Sequence, residues 1–126
     1  MPDPVTPEKA IRVLEKRQWL RMSEQTLISV AVAADHILQR MRASDITALD
    51  VPGFGLLTVK PIRVLGERTW SVGWEDGGSL NLGEIGPPRD QLVYGKDLVL
   101  TITEVVRFAL SISLTLAILK DAEARR

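Results

Sequence analysis

Leu49-Asp50-Val51-Pro52-Gly53-Phe54-Gly55-Leu56-Leu57-Thr58-Val59 is the stretch on which the fold of this 126-residue chain turns. Leu49, Val51, Phe54, Leu56 and Val59 are set among Pro52, Gly53 and Gly55, which reads as a strand with a tight bend. Gly53 and Gly55 allow the backbone to turn sharply from helix to sheet, and Phe54 can plug the space between them. Pro61 interrupts the strand. A residue without an N–H belongs at an edge, a bulge or a strand junction.

Upstream of the bend the chain reads as two helices. Thr6-Pro7-Glu8 is a helix start: Thr6 caps, Pro7 fits the first turn, and Glu8 suits the positive end of the helix dipole. This helix is expected to run to about Trp19, with Ile11 and Leu14 inward. Ser23 is a second N-cap. After it Leu27, Val30, Ala31, Ala34, Ile37, Leu38 and Met41 recur at three- and four-residue spacing, with Gln25, Asp35, Gln39 and Arg42 on the opposite face.

Downstream, Thr69 to Trp74 alternates and Glu75-Asp76-Gly77-Gly78 is a hairpin-turn signal. Ser79 to Ile85 is the returning strand, and Gly86-Pro87-Pro88-Arg89-Asp90 is a loop. Trp70, Val72 and Trp74 share one strand face, either as packing or as a platform for stacked bases. The C-terminal third carries two patterns. Leu98, Leu100 and Ile102 alternate like a strand, whereas Val105, Ala109, Ile112, Leu116 and Leu119 have helical spacing. The length without Gly or Pro favours a helix from about residue 101.

The expected class is therefore α+β in a single domain over residues 1–126. It comprises a helical hairpin (7–43), strands with a β-hairpin arm on a small antiparallel sheet (46–95) and a C-terminal helical segment (96–126).

Sixteen basic and sixteen acidic residues leave no net charge, whereas nucleic-acid binders are usually basic. There is no cysteine, hence no disulfide framework and no thiolate zinc site. Met1-Pro2-Asp3-Pro4 is not the start of a signal peptide. The apolar window Leu98 to Leu119 contains Glu104 and Arg107, which argues against a membrane span. A cytoplasmic location is expected.

Catalytic constellations are not evident, and the chain is expected not to be an enzyme. His36 is the only histidine, and Asp35 beside it cannot face it on a helix. Glu75 and Asp76 are adjacent carboxylates, but a turn explains them. Gly53 and Gly55 lack the Gly-Lys-Ser/Thr of a phosphate loop. No clustered metal ligands and no cofactor motif are present.

Residues 49–59 resemble the first-strand signature of the HU/IHF family of DNA-bending proteins. In that family two N-terminal helices precede a strand entered through Gly-Phe-Gly, then a β-arm and a short C-terminal helix. Tyr94-Gly95-Lys96-Asp97-Leu98 is similar to the family's Phe-x-x-Gly-Lys-x-Leu segment, with altered spacing to the aromatic residue. The resemblance covers roughly residues 7 to 100, and its specific part is Gly53 to Gly55.

It implies a non-catalytic architectural protein acting as a dimer on duplex DNA. Leu27, Val30, Ala34, Ile37 and Met41 would then form the oligomer contact, and Lys60, Arg63, Arg68, Arg89 and Lys96 would contact phosphates. The family's arm is rich in arginine and lysine and ends in Arg-Asn-Pro, whose proline wedges between base pairs. Between Leu56 and Gly95 this chain instead sets Lys60, Arg63, Arg68 and Arg89 against Glu67, Glu75, Asp76, Glu84 and Asp90. An arm tip at Glu75-Asp76 would be acidic and repelled by phosphate. The alternative is a structural subunit of a phage particle or another closed assembly. The neutral charge and the apolar C-terminal segment favour it.

Overall fold

The computed structural model describes residues 5–18, 24–64, 66–82 and 102–125. They form α1 (Pro7–Glu15), α2 (Glu24–Ala43), β1 (Ala48–Val51), β2 (Gly55–Val64), β3 (Glu67–Trp74), β4 (Ser79–Asn81) and α3 (Ile102–Ala124). The strands make one antiparallel sheet in the order β1-β2-β3-β4. This is the α+β arrangement expected from the sequence. Trp19, Ser23 as a cap, the end of the returning strand, the Pro87-Pro88 loop and the segment Tyr94 to Leu98 lie outside the described residues.

Thr6 caps α1 as its sequence predicts, accepting a hydrogen bond from the Lys9 amide at 3.3 Å, with Pro7 in the first turn. The helix stops at Glu15, short of the expected end, and Arg17 takes a positive φ of 54° just beyond it. Ala10 and Leu14 face the core, and Ile11 is partly buried against it.

At the end of α2 the Ile46 amide donates to the Met41 carbonyl at 2.8 Å and the Asp45 amide to the Arg42 carbonyl at 3.0 Å. This is a Schellman cap whose left-handed position is held by Asp45 (φ 56°) rather than by glycine. A side chain there carries a steric cost that glycine lacks. Asp45→Gly is therefore expected to stabilise the protein by about 0.5–1 kcal/mol. Urea denaturation checks this.

The quoted bend joins two strands rather than a helix and the sheet. Pro52 and Gly53 occupy the turn between β1 and β2, where the Phe54 amide donates to the Val51 carbonyl at 3.0 Å and Gly53 has φ 85°. Proline followed by glycine at positive φ is the type II arrangement. Gly55 also has positive φ, 72°.

β2 then runs through Pro61 without a break, pairing with β3 as far as Val64↔Glu67. The Val59 amide points to the β1 side, since it donates to the Thr47 carbonyl at 2.9 Å. By the two-residue repeat of a strand, Pro61 turns its nitrogen to the same side. β1 has already ended there, so the missing donor costs no ladder bond.

Leu57, Val59, Trp70, Val72, Trp74 and Leu80 cover the inner face of the sheet and are buried. The Trp70-Val72-Trp74 row is therefore packing, not an open platform for stacking bases. Against it lie α2 and α3, and α3 also touches α1 and β1. Phe108, Ile112, Leu116 and Leu119 are buried along α3. Its buried hydroxyls bond back along the helix, Ser111 to the Phe108 carbonyl (2.9 Å) and Thr115 to the Ser111 carbonyl (2.8 Å), so both hydroxyls are satisfied. At the surface Lys120 pairs with Glu15 at 2.7 Å and Arg40 pairs with Glu123.

The α2 stripe is consumed by this core. Val30, Ala34, Ile37 and Met41 are 0 % exposed within one chain, and Leu27 is partly buried. A partner docking on this fold without rearrangement cannot reach those four. Among the described side chains of the C-terminal helix, Phe108, Ala109, Ile112, Leu116 and Leu119 are likewise buried within the chain.

Candidate nucleic-acid interface

The pairing register creates an arm, though not where the sequence places it. β1 is paired with residues 55–58 of β2, and β4 with residues 71–73 of β3. Among the described residues, 60–64 and 67–70 therefore continue as a two-stranded ribbon, about 13 Å long at ~3.3 Å per residue. Its tip lies between Val64 and Glu67, where Gly66 takes φ 81°. Among residues 60–70 there are three cations, Lys60, Arg63 and Arg68, against the single carboxylate of Glu67.

Arg63 and Arg68 stand directly opposite one another in the last turn of the ladder but one. They share the inner face with Pro61 and Trp70, because paired residues project to the same side of a sheet. Lys60 projects from the outer face. All three are exposed. Arg63 Nη1 donates to the Gly66 carbonyl at 3.5 Å. Arg89 and Lys96, the other two residues expected to contact phosphates, lie outside the described residues.

Glu75-Asp76-Gly77-Gly78 is a hairpin turn as expected, but it joins β3 to β4 at the opposite end of β3 from the ribbon tip. Seven residues separate the two ends, about 23 Å at ~3.3 Å each. Its acids are engaged. Glu75 Oε2 accepts from the Leu56 amide at 2.8 Å, and Asp76 pairs with Arg107 of α3.

The Arg107 guanidinium also lies over the rings of Trp74 (4.9 Å to the centroid) and Phe54 (5.4 Å). Its hydrogen bond to Asp76 holds that carboxyl below its ordinary pKa. A depressed acid stabilises the fold above its unfolded pKa, and the contribution disappears as pH falls through the folded value. Sequence reading missed Arg107, since nothing local links it to a turn 31 residues away.

A groove of about 930 Å³ runs between the C-terminal half of α2 and the ribbon. Its helix wall carries Asp35, Gln39 and Arg42, and its ribbon wall Pro61, Arg68 and Trp70. The Trp70 indole N–H donates to Asp35 Oδ1 at 2.9 Å, and the Gln39 amide donates to Asp35 Oδ2 at 2.8 Å. Arg42 lies 6.0 Å over the Trp70 ring.

His36 is half-buried on α2. Among the described residues there is no group of three or more His, Cys, Asp or Glu that could hold a metal ion, and no helix long and apolar enough to cross a membrane. No family model, curated protein or solved structure matches the chain.

Proposed function

We propose that this chain is a non-catalytic, HU/IHF-like DNA-binding protein that grips duplex phosphates with its β2–β3 ribbon. The observation that carries the reading is the opposition of Arg63 and Arg68 near the ribbon tip, with Lys60 on the other face of the same hairpin. A net charge of zero does not oppose it, because the ribbon is locally basic and the acidic turn is far away. At physiological salt the Debye length is about 8 Å. The acidic turn, about 23 Å from the tip, is therefore some three screening lengths distant and is partly neutralised by Arg107. The dimer that the family resemblance implies would have to form on surfaces other than the α2 stripe.

The test is fluorescence anisotropy with a labelled 20–30 base-pair duplex over a series of salt concentrations. Binding should weaken as salt rises, because each phosphate contact releases counterions. Arg63→Ala/Arg68→Ala should weaken binding at least tenfold at low salt. It should also flatten the slope of log affinity against log salt by about 1.8, at ~0.9 per contact. Glu75→Lys/Asp76→Lys should act on stability, by breaking the Leu56 and Arg107 contacts. No complex at low salt, together with a stable higher oligomer in light scattering, would replace this reading with a structural role in a closed assembly.

A further inference from the structure

We infer that the groove between α2 and the ribbon is a binding site for a phosphate ester, held by Arg42 from the helix wall and Arg68 from the ribbon wall. This deepens the DNA-binding reading and rests on it: the ligand is one phosphodiester of the nucleic-acid backbone. Arg42 and Arg68 form no ion pair among the described residues, and both side chains are exposed. Guanidinium forks suit phosphate oxygens, and two of them from separate elements can clasp one group.

The groove also contains the carboxylate of Asp35. Both of its oxygens already accept hydrogen bonds, from Trp70 and Gln39, so the carboxylate is fixed on the groove wall and brings one negative charge against the two guanidiniums. The free carbonyls at the end of α2 would repel an anion through the helix dipole, worth about half a charge. Here those of Arg40, Met41 and Arg42 accept from the amides of Ser44, Asp45 and Ile46. Two full positive charges thus outweigh what opposes them. The volume of about 930 Å³ admits a single sugar–phosphate strand, whereas a whole duplex can present only one backbone to it.

Trp70 provides the readout. Its indole N–H is fixed on Asp35 and its ring lies beneath Arg42, so drawing Arg42 onto an anion must change the magnetic environment of that N–H. The full-length chain, labelled with nitrogen-15, is titrated with inorganic pyrophosphate and then with the trinucleotide pTpTpT. The Trp70 indole resonance should shift saturably with both. In Arg42→Gln and Arg68→Gln the apparent affinity should fall at least fivefold, while Lys9→Gln on α1 leaves it unchanged.

The dispersion of the remaining resonances shows that each variant is folded. Absence of a saturable shift, or a shift that survives Arg42→Gln, overturns the groove site. If duplex binding still depends on Arg63 and Arg68, the DNA-binding reading stands without it. Saturation by pyrophosphate with no duplex or trinucleotide binding leaves a site for a free phosphate ligand and removes the DNA-binding reading.

Discussion

Phe108→Ala is expected to lower the unfolding free energy by about 3–5 kcal/mol, the range for emptying a fully buried aromatic site. Phe108 is 0 % exposed and, among the described residues, the largest of the fully buried side chains. Its ring meets Trp74 edge-on, with centroids 6.4 Å apart and planes at 81°, a geometry worth about 0.5–1.5 kcal/mol beyond area alone. The surroundings cannot readily close the void, because α3 is packed at once against α1, α2 and β1. Domains are stable by only about 5–15 kcal/mol, so the variant should keep little reserve. Its melting temperature should fall by roughly 10–20 °C, at ~3–5 °C per kcal/mol for a chain of this size. Thermal melting by circular dichroism is the measurement. A loss below about 1 kcal/mol would mean that α3 does not occupy the core, since it falls well short of the about 3–5 kcal/mol of a buried Phe→Ala change.

Gly55→Val should cost about 2–4 kcal/mol, from backbone strain and a collision together. Gly55 sits at φ 72°, a conformation that a β-branched residue adopts only with strain. A β-carbon there would also run into Glu75, whose own β-carbon lies 3.0 Å away and whose carboxylate is closer still. Displacing Glu75 strips the Leu56 amide of its acceptor. Gly53 is the control: at φ 85° it has nothing within 4 Å, so Gly53→Ala carries the backbone cost alone, roughly 1–2 kcal/mol. Urea midpoints of the two variants separate the contributions. Equal losses at both positions would show that the turn of β3–β4 does not rest on Gly55. Phe54→Ala should cost less than a core aromatic, because the ring is only half-buried beside Trp74 and Arg107.

The elements that could be read in advance are those whose cause is local. The Thr6 cap, the α2 stripe, the Glu75–Gly78 turn and the inward row Trp70-Val72-Trp74 each follow from backbone chemistry or side-chain periodicity within a short window. The helix over the C-terminal third followed from its uninterrupted length, although its β-branched residues alternate like a strand. Two local signals pointed the wrong way. Pro61 looked like a break but lies inside β2, on the side where pairing has ended. The turn at Gly66 carries a weak local signal because Val64-Leu65-Gly66-Glu67 offers one turn-forming residue, against three in Glu75-Asp76-Gly77-Gly78.

The cationic residues of the ribbon were legible as residue types, but their geometry was not. That Arg63 faces Arg68 depends on the β2–β3 register. That the ribbon extends past its paired neighbours depends, among the described residues, on β1 and β4 being shorter than the strands they flank. Arg42 gains its place only when the end of α2 comes to lie beside Trp70, and Arg107 only when α3 meets the Asp76 turn.

By itself the sequence determined that the chain is α+β, where the α2 stripe lies, and that the backbone bends sharply at Gly53 and Gly55, though not that the bend joins two strands. These are properties of φ, ψ and periodicity, felt within a few residues. Tertiary structure alone decided which hairpin is the arm, whether its acids lie at the tip or are tied down, and whether the α2 stripe meets a partner or the chain's own α3. Those outcomes rest on contacts between residues tens of positions apart, where burial of apolar area and pairing of charge outweigh any local preference.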